Sequence, residues 1–305
     1  MSEITRHERV ASPSKVSAWL ECEHYLNLRH QVDDGTIDPP DPAFSAFAQL
    51  LLDKGLQHEE ECLRWYENKG LSVHRVPDRD AGETFAQWVE RIGNPMEDGH
   101  DVVFQMPFVH DGMRGVADFL VRTISEDGAT VAYEPVDSKL ARHHAKPGHV
   151  LQLCFYAEAV GALTGVTPEL GRLFLGSGEF ETIRFSEVDA YWRRLRRQLS
   201  SALSSTPDGG TTPKLCAHCE FCEFAGHCEA QWRADDSLVY VSGARAVDRE
   251  VLEEAGVETM ADLATAAKGS VPDMTDTRFD ALAKQARLQV EARKHPDELP
   301  PFVVL

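Results

Sequence analysis

The chain has 305 residues, of which 42% are hydrophobic and 8% aromatic; this composition suits a packed globular protein and excludes a largely disordered one. Its formal net charge of −19 argues against a protein that simply coats nucleic acid, because affinity for phosphates comes from lysine and arginine. There is no apolar stretch of transmembrane length, and the N-terminal MSEITRHERVASPSK lacks the apolar core of a signal peptide. We therefore expect a soluble, cytoplasmic protein with no membrane partner.

The first third of the chain is predicted to be mainly helical. SPSKVSAWLECEHYLNLRH begins with serines and a proline and predicts one helix. A second helix is expected from about residue 44 to residue 68, because Gly70 is a natural C-terminal residue. LSVHRV then predicts a strand, and TFAQWVERI a short helix.

The middle of the chain is predicted to form a sheet. DVVFQMPFV, RGVADFLVRTI and TVAYEPV are separated by the turn sequences HDGM and SEDG, a pattern typical of antiparallel hairpins. A helix over roughly residues 150–163, the strands LGRLFLG and FETIRF, and a long helix ending near residue 205 should follow. After the linker TPDGGTTPK and a cysteine-rich segment, two further helical patterns indicate a separate C-terminal module.

An acid and a base stand together at the end of the third strand of this block. Asp137 and Lys139 are two positions apart, so they share one face of the strand. Asp118 lies on the preceding strand, and two carboxylates brought that close would suit Mg²⁺. The simpler alternative for Asp137 and Lys139 alone is a surface ion pair worth roughly 0–1 kcal/mol. Pro135 predicts either a bulge or one-sided pairing in this strand.

Two predicted helices carry residues that could join these side chains. His58, in KGLQHEEECL, could supply a third metal ligand, although a single helical histidine is more often an ordinary surface or core residue. Gln152 and Tyr156, in LQLCFYAEA, are four positions apart and share a helix face. The alternative is that Tyr156 packs in the core and Gln152 is incidental.

Basic residues are concentrated in two segments of this acidic chain. One runs from Lys139 to His149, and the other is YWRRLRRQL on the long helix. Both are compatible with a local DNA-binding surface, although arginine-rich helices are more often solvated faces.

Four of the seven cysteines lie in CAHCEFCEFAGHC. In a cytosolic chain this clustering favours metal or iron–sulfur ligation over disulfides. His218 and His227 keep zinc open as an alternative. Cys216 is either an alternative ligand or an unpaired thiol, and Cys62 and Cys154 are most simply buried apolar residues.

The order of the motifs resembles the RecB-like branch of the PD-(D/E)xK nuclease superfamily: a helical histidine, a strand aspartate, D-x-K on the next strand and Q-x-x-x-Y on the following helix. SPSKVSAWLECEH, KGLQHEE, GVADFL, VDSKLARH, LQLCFYAE and HCEFCEFAGHC together are similar to a bacterial family of RecB-type nucleases. The resemblance implies an α/β, restriction-endonuclease-like core with a mixed central sheet flanked by helices over residues 1–231. Residues 232–305 would be a small helical module, loosely similar to a helix-hairpin-helix element or simply a packing module.

The resemblance also implies a chemistry. His58, Asp118 and Asp137 would hold Mg²⁺ or Mn²⁺, and Lys139 would orient the attacking water or neutralise charge on the phosphate. Gln152 and Tyr156 would be supporting residues that position the lysine or contact the DNA backbone. The implied activity is that of a metal-dependent deoxyribonuclease, an exonuclease on single-stranded DNA or duplex ends that acts in repair, processing or defence.

The resemblance assigns the cysteines as well. Cys22, Cys219, Cys222 and Cys228 would form a split [4Fe–4S] site with a structural role, and all-thiolate ligation suits such a cluster. Two other functions stay open. One is a non-cleaving nucleic-acid clamp in a larger helicase–nuclease assembly, favoured by the −19 charge and by Pro135. The other is a zinc-stabilised interaction protein.

Overall fold

A computed structural model describes residues 10–40, 46–124, 128, 130–204 and 210–295. These residues divide between two compact units. The first contains the described residues of Met1–Ile37 and Ala43–Gly210, and the second contains those of Asp38–Pro42 and Thr211–Leu305. The cysteine-rich segment therefore belongs to the second unit. The boundary expected from the sequence lies later, after residue 231, because the resemblance assigns those cysteines to the core.

The first unit alternates helices with the strands of one sheet. Its described elements, in chain order, are α1 (Pro13–Glu21), α2 (His24–Asp33), α3 (Ala46–Asn68), β1 (Val73–Arg75), α4 (Phe85–Ile92), a 3-10 helix (Pro95–Asp98), β2 (Val102–His110), β3 (Met113–Ile124), β4 (Val131–Lys139), α5 (Pro147–Thr164), β5 (Leu170–Leu175), β6 (Phe180–Arg184) and α6 (Phe185–Ser204).

The N-terminal helix predicted from the sequence is divided into α1 and α2. Ser12 caps α1, since its hydroxyl oxygen accepts the N–H of Lys15 at 3.3 Å. Cys22 ends α1 with extended backbone angles of φ −148° and ψ 103°. The prediction of one helix was wrong here, because the cap signals where α1 begins but no glycine or proline in LECEH signals where it ends.

The six strands form a mixed sheet in the order β1-β2-β3-β4-β5-β6. β1 and β2 are parallel, as are β4 and β5, and the other neighbours are antiparallel. The predicted antiparallel block is thus confirmed as β2, β3 and β4. The turn expected at HDGM is also present, with Asp111 and Gly112 at φ 45° and 73°.

Helices cover both faces of this sheet. Leu173 and Leu175 of β5 pack with Leu153 of α5, whereas Phe174, between them, packs with Cys62 of α3. Because successive side chains of a strand point to opposite faces, α3 and α5 lie on opposite sides of the sheet. This arrangement confirms the α/β architecture of a mixed sheet with flanking helices.

Pro135 is accommodated by one-sided pairing. It lies opposite Leu120 in a continuous register between β3 and β4, with no extra residue in either strand. Pairing between β4 and β5 begins one residue later, at Val136 and Arg172. Of the two alternatives expected from the sequence, the structure has one-sided pairing. Because Pro135 pairs only with β3, the sheet does not need a second neighbour for a residue that has no N–H to donate.

The second unit has an apolar core of its own. Its described helices are a 3-10 helix (Ala217–Glu220), α7 (Ala225–Ala234), a 3-10 helix (Leu238–Tyr240), α8 (Ala246–Glu254), α9 (Met260–Thr265) and α10 (Asp276–Lys294). Leu252, Met260, Leu263 and Leu282 are buried together at their centre. Across the described parts of both units, no helix combines the length and apolar character needed to cross a membrane.

Candidate active site

The adjacent strands β3 and β4 bring Asp118 and Asp137 together. Phe119 pairs with Val136 in the antiparallel register, so the next position places Asp118 opposite Asp137. Ser138 donates hydrogen bonds from its backbone N–H and its Oγ to Asp118 Oδ2, at 2.8 and 3.0 Å. Side chain and backbone of β4 therefore fix the Asp118 carboxylate beside that of Asp137.

Asp137 is the buried centre of this group, with 0% of its surface exposed. Its Oδ1 accepts a hydrogen bond from Gln152 Nε2 at 2.9 Å, and its Oδ2 lies 2.5 Å from Lys139 Nζ. Burial, and after it the charge of Asp118, raise the pKa of Asp137 to about 8. Burial by itself lowers the pKa of Lys139, but the charges of Asp137 and Asp118 outweigh it and the net pKa is raised.

The charges of this group fit a bound divalent cation. The carboxyl groups of Asp118 and Asp137 lie beside one ammonium group, that of Lys139. The pKa of Asp137 is raised because the charge of Lys139 does not offset burial and the repulsion by Asp118. A divalent cation would favour the ionised form of both acids, and carboxylate oxygens are ligands that Mg²⁺ and Mn²⁺ prefer.

Tyr156 joins helix α5 to β3. Its hydroxyl donates a 2.5 Å hydrogen bond to the carbonyl of Val116, two residues before Asp118, and the side chain is buried. Gln152 Nε2 lies 3.5 Å from the same hydroxyl. At Gly115 an added Cβ would lie 2.9 Å from the Tyr156 oxygen, so the absence of a side chain there permits this close approach.

His58 reaches the same end of the sheet from α3. Its Nε2 lies 3.0 Å from the carbonyl oxygen of Phe174, and its ring stacks on the Phe174 ring at 4.7 Å with an interplanar angle of 12°. Phe174 is the register partner of Ser138, the residue between Asp137 and Lys139. The imidazole is therefore anchored to the strand next to the D-x-K segment.

The two ring nitrogens of His58 have different roles. A carbonyl oxygen only accepts hydrogen bonds, so Nε2 of His58 carries the proton and its N–H donates a hydrogen bond to the carbonyl oxygen of Phe174. Nδ1 lies 3.5 Å from Glu61 Oε2. Within the described residues neither nitrogen is hydrogen-bonded to Asp118 or Asp137, so the structure groups five of the six predicted site residues directly and brings His58 only to their edge.

Glu59 and Gln105 belong to this neighbourhood, although the sequence did not predict them as site residues. Gln105 Nε2 donates a hydrogen bond to Glu59 Oε1. Burial, followed by the charge of Asp118, raises the pKa of Glu59 to about 7. Gln105 falls opposite Asp118 in the β2–β3 register and has a left-handed φ of 62°. The position of Glu59 directly after His58 was the one signal in the sequence that pointed to it.

The predicted cluster ligands are divided between the two units. Cys22 follows α1 in the first unit, whereas Cys219, Cys222 and Cys228 belong to the second. The sulfurs of Cys216 and Cys219 lie 3.8 Å apart. Cys62 and Cys154 are buried in the first unit, which confirms the prediction that they are core residues.

Comparison with known proteins shows the family of this chain. No curated protein matches the chain. Residues 12–229, most of the chain, match the sequence model of the PD-(D/E)XK nuclease superfamily, and the matched segment holds the acidic pair, the D-x-K segment and all the predicted cysteine ligands. The chain therefore belongs to the PD-(D/E)XK nuclease superfamily.

Proposed function

We propose that this protein is a RecB-like deoxyribonuclease that hydrolyses phosphodiester bonds with Mg²⁺ or Mn²⁺. The observation that carries the proposal is the meeting of Asp118, in the middle of β3, with Asp137 and Lys139, at the end of the adjacent strand β4. Nucleases of this superfamily use divalent metals and act on nucleic acids, which supports the same chemistry here. By its resemblance to RecB-type enzymes, the chain would act as an exonuclease in DNA repair, processing or defence.

The carboxylates of Asp118 and Asp137 would hold the metal, with Nδ1 of His58 as the third ligand. Donation from Nε2 to the Phe174 carbonyl favours this assignment, because metal-binding histidines commonly donate their other ring N–H to a carbonyl or carboxylate. When bound, the metal supplies a water of lowered pKa and offsets negative charge on the phosphate.

Side chains around the acidic pair would neutralise the phosphate and position the two acids. Lys139 stays protonated at neutral pH, because its pKa is raised, and its ammonium would meet the negative charge of the scissile phosphate. Gln152 fixes Oδ1 of Asp137, and Ser138 fixes Oδ2 of Asp118, so both acids are held in place before DNA binds. Tyr156 keeps α5 against β3 and thereby positions Gln152.

The test is a cleavage assay on end-labelled single-stranded and duplex DNA, with Mg²⁺, with Mn²⁺ and with chelator. Asp118→Ala, Asp137→Ala and Lys139→Ala should each lower cleavage by at least about 100-fold. Asp53→Ala and Lys54→Ala, on the exposed surface of α3, are matched controls that should cut like the wild type. Wild-type cleavage rates in all three site variants would refute the site, and DNA binding without metal-dependent cleavage would favour the clamp instead.

We also propose that Cys219, Cys222, Cys228 and Cys22 bind a structural [4Fe–4S] cluster. Thiolate donors suit iron–sulfur ligation, and the superfamily match extends to one residue beyond Cys228. A cluster held in this way would join segments almost 200 residues apart, where a cross-link constrains the unfolded chain strongly.

Anaerobically purified protein should be brown, with absorption near 400 nm and about four irons per chain. Cys222→Ser should abolish the colour, whereas Cys154→Ala, at a buried cysteine outside the group, should retain it. Comparing Cys22→Ser with Cys216→Ser identifies the fourth ligand, because the variant that loses the cluster carries it. Zinc without iron in the elemental analysis would refute the cluster.

A further inference from the structure

We propose that His74, Asp98 and His100 form a second metal site, which binds one Zn²⁺ or chemically similar transition-metal ion at the edge of the sheet. One ligand atom from each residue lies within 4.8 Å of the other two. The two imidazole rings have their centroids 5.2 Å apart and are tilted by 34°. His74 lies on β1, whereas Asp98 and His100 lie on the segment that leads into β2, so the fold brings together residues more than 20 positions apart.

The backbone of two segments brings the ligands together. His74 is the middle residue of β1, which pairs in parallel with the start of β2 through Val73 and Val102. Asp98 ends the 3-10 helix, and His100 lies just before β2. Gly99 between them has φ 74°, a left-handed conformation that glycine adopts at no steric cost. This turn connects the two ligands of the second segment.

Hydrogen bonds fix both segments independently of any ion. Ser72, two residues before His74, donates from its N–H and its Oγ to Asp101 Oδ2 at 2.8 and 2.7 Å. Asp101, next to His100, returns a 2.9 Å hydrogen bond from its N–H to the Ser72 hydroxyl. The buried Tyr133 hydroxyl donates to the carbonyl of His100 at 2.8 Å. Because these hydrogen bonds already hold both segments in place, less backbone has to be ordered when an ion binds.

The donor set selects the kind of ion. Two imidazoles and one carboxylate are ligands typical of Zn²⁺, and three protein ligands leave room for a water in the fourth position. Mg²⁺ prefers oxygen donors, so this group, with two imidazoles among its three ligands, should bind Mg²⁺ more weakly than Zn²⁺. His74 and His100 are half-buried and Asp98 is exposed, which leaves the group accessible to ions from solvent.

The group is distinct from the acidic pair. Gln105, opposite Asp118 in the β2–β3 register, lies five residues beyond His100 along the chain. β2 begins at Val102, and at about 3.4 Å per residue the three steps from Val102 to Gln105 alone correspond to roughly 10 Å along the strand. The expected role of the ion is to tie the short edge strand β1 to the segment that leads into β2.

The experiment measures zinc binding to tag-free, full-length protein after treatment with chelator. Equilibrium dialysis should give one Zn²⁺ fewer per chain for His74→Ala and His100→Ala than for the wild type. Asp98→Asn should bind that ion at least about 10-fold more weakly, because it loses the carboxylate charge. Glu97→Gln, on the same 3-10 helix, and His144→Ala, on an exposed loop, should match the wild type.

Co²⁺ distinguishes this site from the cysteines, since thiolate ligands give intense near-ultraviolet absorption and imidazole or carboxylate ligands do not. The three variants should retain any thiolate bands, and Asp118→Ala should retain the ion, which separates this proposal from that of the nuclease site. Zn²⁺ should raise the thermal midpoint of the wild type and not that of His74→Ala. Equal zinc binding by the wild type and all three variants would overturn the proposal, as would loss of the thiolate bands together with the zinc.

Discussion

Gln152 on α5 donates a 2.9 Å hydrogen bond to Asp137 on β4, and it is this bond that attaches the helix to the buried acid of the site. Asp137 has no surface exposure, so water does not replace a lost donor easily. Gln152 therefore has two roles. It holds α5 against β4, and it binds Oδ1 of Asp137 while Oδ2 pairs with Lys139.

Replacing Gln152 should damage the site in a graded way. Gln152→Ala leaves Oδ1 of Asp137 unsatisfied and should cost about 1–3 kcal/mol of stability. Gln152→Glu would add a third carboxyl group beside those of Asp118 and Asp137 and should cost more, because like charges that close are unfavourable. Hydrogen exchange of β4 and α5 amides measures the loss, with exposed Gln57→Ala as the control expected near zero. Equal protection in Gln152→Glu and the wild type would contradict the assigned contact.

Glycine-to-alanine substitutions at two positions should have opposite signs. At Gly115 the new Cβ would lie 2.9 Å from the Tyr156 oxygen and 3.2 Å from Pro13 Cδ, so Gly115→Ala should destabilise the first unit by about 1–3 kcal/mol. At Gly55, inside α3, no atom lies within 4 Å of the added Cβ. Gly55→Ala should therefore stabilise the helix by about 0.5–1 kcal/mol. Chemical denaturation, followed by a signal from residues of the first unit, measures both changes in the free energy of unfolding. An unchanged stability of Gly115→Ala would contradict the tight contact.

The loop after Lys139 is a candidate for DNA contacts, because it directly follows the lysine of the site. Arg142 is exposed there and has no ion-pair partner within the described residues. On α6, by contrast, Arg193 pairs with Asp189 at 2.9 Å. Arg142→Ala should weaken DNA binding and reduce the salt dependence of the affinity by about one unit of slope, whereas Arg193→Ala should leave both near the wild type. The check is an anisotropy titration in chelator over a series of salt concentrations, and an unchanged slope for Arg142→Ala would exclude a phosphate contact there.

The sheet and the acidic pair could be predicted from the sequence, because both depend on local periodicity. Turn residues at HDGM marked the β2–β3 hairpin, and the strand period of two placed Asp137 and Lys139 on one face. The pairing of Asp118 with Asp137 needed only a hairpin in continuous register. Turns, strand periodicity and hairpin register depend on residues close together in the chain, so the amino-acid sequence indicates them directly.

Features that depend on tertiary context were not predictable. The left-handed backbone of Gln105 has no signature in a glutamine, which normally avoids positive φ. The hydrogen bond from His58 to Phe174 joins residues 116 positions apart, so the sequence suggested a ligand without showing which nitrogen would ligate. His74, Asp98 and His100 are spread over two segments and form no recognisable spacing. Only the fold brings such residues together.

The second unit should lose stability in acid through Asp248. This buried carboxylate accepts hydrogen bonds from the Arg245 side chain at 2.9 and 3.0 Å and from the Arg278 side chain, which connects α10 to the start of α8. Hydrogen bonds from Arg245 and then from Arg278 hold the pKa of Asp248 far below its usual range. The folded-state pKa is thus lower than the unfolded value of about 3.9, so the stabilisation is complete above that pH and is lost as the pH falls below it.

Asp248→Asn should therefore destabilise the second unit at pH 7 by about 1.5–3 kcal/mol, the range for hydrogen bonds to charged groups. The matched control is Asp280→Asn, which removes the same charge from an exposed pair with Lys268 and should cost less than about 1 kcal/mol. Hydrogen exchange of α8 and α10 amides, or denaturation followed at Trp232, measures the difference from pH 7 down to pH 2.5. Because protonation removes the same interaction in the wild type, the gap between wild type and Asp248→Asn should narrow as the pH falls below about 4. A gap that stays constant over this range would mean that the cost of the substitution comes from packing and not from the ionised carboxylate.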